Sequence, residues 1–266
     1  MLNFRTKTKL IVKGQERNLY QTKEGFRFWL DPSKYLDSSI IDKGVFEPKS
    51  TAIVKNMIKK GDVVFDVGAN IGYYAVLFSK LVGKGGAVYC FEPTPYYKNI
   101  LYENMLVNNI TNCTLLDYGL SSSNIEADIA IGECSATLHW VCDNRPSGVE
   151  RVKLKRLDDV EPTLGIKKLD FIKIDVDGHE PAFLQGAWNT LNKYDPIILL
   201  EVNHENYLEG GVTAWDFYDL LLSKGYFIYS ENGLKKFESK RQFLQECGNF
   251  SYSANIIISR NELTKV

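Results

Sequence analysis

The chain has 266 residues with 32 basic and 33 acidic side chains, a net charge of −1, so it lacks the basic excess that binding a phosphate backbone requires, and nucleic acid is not an expected partner. Hydrophobic residues at 44% and charged residues at 24% fit a globular protein large enough for one α/β domain, alone or with a small appendage, and exclude a long disordered region. No apolar stretch approaches a membrane span and the basic N-terminus, MLNFRTKTKLIVKGQERNLY, has no signal-like apolar run, so a cytoplasmic protein is expected.

In chain order, residues 1–60 carry Tyr20, Phe26, Phe28, Trp29, Tyr35 and Phe46, too many large rings for a loose tail. They are expected to pack as an extension on a core domain spanning residues 61–266 and to help shape its cleft. From residue 62, short apolar runs alternate with amphipathic segments, the pattern of parallel strands joined by crossover helices. Strands are predicted over 62–66 (DVVFD), 87–92 (AVYCFE), 113–118 (CTLLDY), 169–175 (LDFIKID) and 196–201 (PIILLE), dense in apolar residues because both sheet faces are covered. Helices are predicted over 73–82, 96–108, 181–191 and 213–224. Residues 121–157 break the alternation and read as an inserted hairpin or lid, with extended segments at 136–141 and 149–154. Two strands at 226–230 and 252–259, with no helix between them, suggest an antiparallel pair closing the sheet edge. The fold class is α/β, a Rossmann-like, mainly parallel sheet with an antiparallel C-terminal strand. Cys90, Cys113, Cys134, Cys142 and Cys247 show no C-x-x-C spacing and read as reduced thiols used in packing.

The first strand runs into Asp66-Val67-Gly68-Ala69-Asn70-Ile71-Gly72, a glycine turn feeding a helix. Gly68 and Gly72 permit close backbone approach to a ligand, but Asn70 stands where a dinucleotide fingerprint needs its middle glycine, which disfavours a pyrophosphate. Glu92 ends the second strand, where a carboxylate accepts both ribose hydroxyls of a nucleoside. Asp66 at the mouth of the loop would repel a pyrophosphate and suits the ammonium and sulfonium of S-adenosylmethionine. Taken singly, Asp66 could cap a turn and Glu92 could be a solvated strand end. Their joint placement around one glycine loop favours the methyl donor.

VFDVGANIGYY, FEP at residues 91–93, LDFIKIDVDGHEPAFLQGA at 169–187 and LLEV at 199–202, in this order and spacing, resemble the FkbM family of methyltransferases. The resemblance covers roughly residues 60–205 and implies a class I methyltransferase fold and S-adenosylmethionine-dependent O-methylation of a sugar, glycan or natural-product hydroxyl. Asp177 stands where the family commonly has glutamate. By the resemblance, Asp66, Gly68, Asn70 and Gly72 hold the donor's amino-acid part and Glu92 its ribose. The adenine contact is expected from the segment after the third strand, at Asp117, Tyr118 and Gly119.

In an open α/β sheet the ligand sits beyond the carboxyl ends of the strands at the switch point, here between the first and fourth strands. Asp175, Asp177, His179 and Glu180 follow the fourth strand, and Glu201, Asn203 and His204 close the fifth. Methyl transfer to an alcohol needs alignment and a group to take the hydroxyl proton, for which Asp175 ranks first, His204 second and His179 third. Glu180 before Pro181 reads instead as a helix start, its anion complementing the dipole. Asp175, Glu201 and Asn203 would offer oxygen ligands to Mg²⁺, but nothing in the spacing demands a metal and none is expected. Lys173, inside a buried strand, must be paired or neutralised: it either meets a strand-end carboxylate near the cleft or extends along the sheet to the surface, and the resemblance, whose motif also has lysine here, favours pairing. Two other readings stay open: an NAD(P)-dependent oxidoreductase on the same fold, which would lack its third glycine, and a nucleoside-binding protein without chemistry.

Overall fold

The apolar runs assemble side by side into one sheet because each strand has hydrophobic side chains on both faces. A computed structural model describes residues 9–132, 136–138, 148–249 and 252–263. The N-terminal part comprises β1 (Lys9–Val12), β2 (Gln15–Gln21), β3 (Arg27–Leu30), α1 (Tyr35–Lys43) and α2 (Pro48–Met57). The core begins with β4 (Val63–Val67), α3 (Tyr73–Val82), β5 (Ala87–Phe91), α4 (Pro95–Val107) and β6 (Cys113–Leu116). An inserted region follows with β7 (Gly119–Leu120), β8 (Ile125–Ile131), β9 (Ala136–Thr137), β10 (Gly148–Lys155) and α5 (Leu157–Leu164). The chain then returns to the core with β11 (Phe171–Ile174), α6 (Glu180–Gln185), α7 (Trp188–Tyr194), β12 (Ile197–Val202), α8 (His204–Glu209) and α9 (Ala214–Ser223). Last come β13 (Phe227–Ser230), β14 (Lys235–Lys236), α10 (Lys240–Cys247) and β15 (Ala254–Ser259).

Among the described residues the main sheet has the order β14-β13-β15-β12-β11-β4-β5-β6, parallel from β12 to β6, with β15 antiparallel to both β12 and β13. The chain runs outward from β4 through β5 to β6, then crosses back to place β11 on the other side of β4, which makes the β4/β11 junction the switch point. Val64 and Phe171 face a core built with α3, α4 and the N-terminal strands, while Phe65, Val67, Ile172 and Ile174 face one built with α5 to α10. No helix among the described residues is long and apolar enough to cross a membrane.

The structure differs from the expected element pattern at three places. Strands β13 and β15 do pair, but β15 lies inside the sheet between β12 and β13, and the polar stretch between them holds α10, which buries Phe243 and Cys247. The single helix predicted over 181–191 is two, divided at Gly186, where a Cβ would stand 2.0 Å from the Ser121 carbonyl oxygen. The insertion is a four-stranded sheet, β7-β10-β8-β9, rather than a lone hairpin. The expected extended segment at 136–141 is described only through Leu138, and Val141, Cys134 and Cys142 lie outside the described residues. Cys90, Cys113 and Cys247 are free.

The N-terminal part is fastened to the core by polar groups that satisfy one another. Asn104 Oδ1 on α4 accepts from the Trp29 N–H at 2.7 Å, and Asn108 Oδ1 from the Arg27 N–H at 2.9 Å, so one edge of β3 is covered. Arg17, 1% exposed, pairs with Asp37, 2% exposed, and donates to Tyr96 Oη at 3.1 Å, while Asp37 also accepts from the Asp31 N–H at 2.8 Å. A buried pair of this kind contributes little against apolar replacements, but losing one partner strands the other. Arg17→Met should therefore lower unfolding free energy by about 3–5 kcal/mol in urea titrations, and Arg17→Met with Asp37→Leu should recover most of that loss.

Candidate active site

The turn after β4 holds three residues in the left-handed region, Gly68 (φ 81°), Asn70 (φ 50°) and Gly72 (φ 87°). Asparagine tolerates this conformation better than other side chains, which accounts for Asn70 where a third glycine would otherwise stand. At Gly68 the constraint comes from within the protein: an added Cβ would lie 1.8 Å from the Asp175 carbonyl oxygen. The glycine lets the β4 turn meet the end of β11, whereas the sequence suggested approach by a ligand. At Gly72 a Cβ would press on Leu101 Cγ at 2.9 Å. The Gly68 and Ala69 N–H groups both donate to the Phe91 carbonyl, at 3.0 and 3.2 Å.

Glu92, 4% exposed, spans the turn and the end of β5. Its Oε2 accepts from the Asn70 N–H at 2.8 Å, and its Oε1 from the Thr94 N–H at 3.0 Å and the Thr94 hydroxyl at 2.6 Å. Burial raises its pKa, although the bonds from Thr94 and Asn70 pull the other way. The turn thus separates two cavities. The first is lined by Phe91, Glu92, Pro93, Tyr97, Leu120 and His179, and the second by Phe46, Glu47, Asp66, Tyr74, Lys173 and Glu201, with Gly68, Asn70, Asp175 and Asp177 on the wall of both.

A cluster of charge surrounds Lys173 under the second cavity. Its ammonium donates to Asp175 Oδ2 at 2.7 Å and lies 4.6 Å from the centre of the Tyr74 ring. Burial opposes the charge, but Asp175, Glu47 and Asp66 outweigh it and raise the lysine's pKa. Of the two arrangements open to Lys173 in the sequence, this is the pairing with a strand-end carboxylate. Asp66 is 1% exposed with Oδ2 unpartnered, and burial pushes its pKa up to about 7 despite the lysine. Glu201 Oε2 is buried and also unpartnered, and its carboxyl is held well above its ordinary range by burial and by Asp175 and Asp177. Glu47, with φ 44°, accepts from Tyr74 Oη at 2.8 Å and from Asn255 Nδ2 at 2.8 Å. Nothing in the sequence marked Glu47; its one signal was Pro48, which starts α2 just after it.

The remaining expected residues disperse. The Asp117 side chain is 72% exposed and 3.6 Å from Lys98, and Tyr118 stacks edgewise on Phe91 under the Lys155 ammonium, so neither lines the first cavity. Gly119 and Leu120, the next residues in the chain, do line it. His179 lines that cavity, with Nε2 2.9 Å from Ser121 Oγ. His204 is 1% exposed, accepts from the Ala214 N–H at 3.3 Å, packs on Trp215 and lines neither cavity. Burial lowers its pKa. Asn203 caps α8 by accepting from the Asn206 N–H at 3.1 Å, which turns its side-chain oxygen away from the metal role considered for it. Glu180 starts α6 as expected and is fully buried, accepting from the Val176 N–H at 2.9 Å with Oε2 unpartnered.

Residues 66–250 match the family model described as Methyltransferase FkbM domain. Hexuronic acid methyltransferase AglP of Haloferax volcanii is 30% identical over 142 residues, 53% of this chain and 56% of that protein. 2-O-methyltransferase NoeI of Sinorhizobium fredii is 28% identical over 205 residues, 68% of this chain and 82% of that one. 31-O-demethyl-FK506 methyltransferase FkbM of Streptomyces tacrolimicus is 26% identical over 207 residues, 65% of this chain and 76% of that one. The chain thus spans little more than half the length of the first of these relatives and most of the other two.

Two measurements test this geometry. Gly68→Ala should lower stability by about 2 kcal/mol or more, because the side chain meets a carbonyl in a backbone conformation that costs it extra. A urea midpoint within error of the parent would contradict the packing at Asp175. Burial pushes the Glu180 pKa up to about 8 against an ordinary 4.5, so the folded state keeps a proton that the unfolded chain releases. Unfolding free energy should therefore fall as pH rises from about 4.5 to 8, and Glu180→Gln should flatten that slope.

Proposed function

From a chain that belongs to the FkbM methyltransferase family, we propose an S-adenosylmethionine-dependent O-methyltransferase acting on a hydroxyl of a sugar, glycan or natural product. The activities that AglP, NoeI and FkbM are named for support this acceptor class. The observation that carries the reading is the turn at Gly68–Asn70, with a mixed apolar and carboxylate cavity on one side, an acidic cavity on the other, and Asp175 on the wall of both.

The residues present fit the donor. Asp66 Oδ2 is buried without a partner, the kind of acceptor an ammonium group satisfies. Glu92 Oε2 accepts the Asn70 N–H and keeps a lone pair for a ribose hydroxyl. Phe91, Pro93 and Leu120 give the first cavity apolar surface for a purine. S-adenosylmethionine supplies, when bound, an electrophilic methyl group on a sulfonium. Asp175 is the residue we assign to receive the acceptor's hydroxyl proton, since it reaches both cavities and Lys173 fixes its Oδ2. His179 and His204 rank below it, because one faces the first cavity only and the other is packed away from both.

Mass spectrometry of nucleosides released on denaturation, with calorimetric titration of S-adenosylmethionine, tests the reading; bound NAD and no affinity for S-adenosylmethionine would overturn it. Glu92→Ala should weaken the donor by about 1.5–3 kcal/mol. Asp66, with a pKa raised to about 7, must ionise to face an ammonium. Donor binding near pH 6.5 should therefore release a fraction of a proton, seen as a buffer-dependent heat, and affinity should climb as pH rises through 7. Asp66→Asn should abolish both effects. With an acceptor in hand, Asp175→Asn should lower kcat by roughly 10²- to 10⁴-fold with donor affinity nearly intact.

A further inference from the structure

The second cavity has an outer wall that the family match does not include. Tyr35, Leu36, Phe46 and Glu47 line it from the N-terminal part, ahead of residue 66, where the matched region begins. Tyr35 opens α1 and is 68% exposed, a flat ring on the cavity's rim. Deeper in, the wall is acidic, with Glu47, Asp66, Asp175, Asp177 and Glu201 against the single ammonium of Lys173.

Two buried oxygens face this space without partners, Asp66 Oδ2 on a side chain that is 1% exposed, and Glu201 Oε2. An unpaired buried acceptor is costly and is relieved by a ligand that donates a hydrogen bond. By sheet order Asp66 on β4 lies beside the Gly68 turn, while Glu201 on β12 lies two strands away, beyond β11. The β4 side falls to the donor in the reading above, and the β12 side, with the N-terminal wall, is left for the acceptor. A carboxylate-bearing acceptor would add a further negative charge to a space where burial and neighbouring acids already oppose ionisation of Glu47, Asp66 and Glu201, whereas hydroxyl or ammonium donors would complete their oxygens.

We infer that Tyr35 and Glu201, beside Glu47, form an acceptor subsite for an uncharged or cationic pyranoside, whose ring stacks on Tyr35 and whose hydroxyls donate to Glu201, and that the subsite rejects uronates. This rests on the methyltransferase reading. Glu47 acts as a positioning residue, since Tyr74 and Asn255 already engage its oxygens and its left-handed backbone fixes where its charge stands.

The test uses the full chain with S-adenosylhomocysteine bound and three probes, methyl glucopyranoside, methyl glucopyranosiduronate and methyl 2-amino-2-deoxyglucopyranoside, titrated by saturation-transfer NMR. The neutral and amino glycosides should bind, and the uronate about tenfold more weakly or worse. Tyr35→Ala, harmless to folding because the residue is exposed, should weaken the neutral glycoside by roughly three- to tenfold. Glu47→Gln should narrow the gap between neutral glycoside and uronate. A uronate that binds as well as the neutral sugar, or a Tyr35→Ala protein that binds the glycosides unchanged, overturns the inference. A protein that binds S-adenosylhomocysteine but none of the glycosides overturns the acceptor assignment alone, and one that binds no S-adenosylhomocysteine overturns the reading beneath it.

Discussion

A lysine ammonium sits in the middle strand of the sheet, and the architecture around the cleft follows from the need to keep it paired. Lys173 is 3% exposed with neighbours on both sides in β4 and β12. Desolvating such a charge costs several kcal/mol unless opposite charges stand close, so carboxylates converge on it from different parts of the chain. Asp175 comes from its own strand end, Asp66 from the residue opposite it in register on β4, and Glu47 from the N-terminal part. The converse also holds. Without the ammonium these acids would face one another in a buried space, and none of their positions would be tolerable.

That constraint explains how the N-terminal part, from β1 to α2, becomes part of the cleft. Glu47 reaches the cluster only because α2 is placed against α3, where Tyr74 donates to it, and against β15, where Asn255 does the same. The placement is secured further out by the Arg17–Asp37 pair and by the asparagine side chains of α4 that cover β3. The cleft wall and the fold's N-terminal packing are therefore one mechanical unit. Three non-glycine residues at this cleft, Glu47, Asn70 and Asp177, adopt positive φ, a concentration of backbone strain of the sort that persists where surrounding structure holds it in place.

Much of the fold was legible because buried parallel strands must be apolar on both faces. The five predicted strands coincide with β4, β5, β6, β11 and β12 to within two residues, and the helix over 73–82 coincides with α3. What was not legible depended on tertiary contacts. The division of α6 from α7 at Gly186 is set by a carbonyl more than sixty residues away, at Ser121, and α10 is a short helix whose burial of Phe243 is invisible in a polar stretch. At the site, the Asp66, Gly68, Asn70 and Glu92 cluster was legible because it is local in sequence. Of the expected segment Asp117–Gly119, only Gly119 lines the first cavity, since β6 stops at Leu116 and the chain turns before Gly119 reaches it. His204 shows the limit of residue type as a guide: a histidine after a central strand suggested chemistry, and its ring is instead a packed acceptor for the Ala214 N–H.

The cleft is also where the protein departs from what stability alone would select. Asp66 and Glu180 are buried and Glu201 is partly so, each holds one buried oxygen without a partner, and burial raises all three pKa values, so at neutral pH each either keeps a proton or carries an incompletely compensated charge. Apolar replacements would fold more readily, as they often do for buried ionic groups. The three are not scattered: Asp66 and Glu201 line the second cavity, and Glu180 follows the end of β11, accepting the Val176 N–H next to Asp175. A ligand that brings positive charge or hydrogen-bond donors into this space lowers the cost of all of them together, since each carboxylate's pKa is raised in part by its neighbours. The unsatisfied oxygens are then complementary to the ligated state, and the free protein holds them open because Lys173 keeps the cluster just short of mutual repulsion.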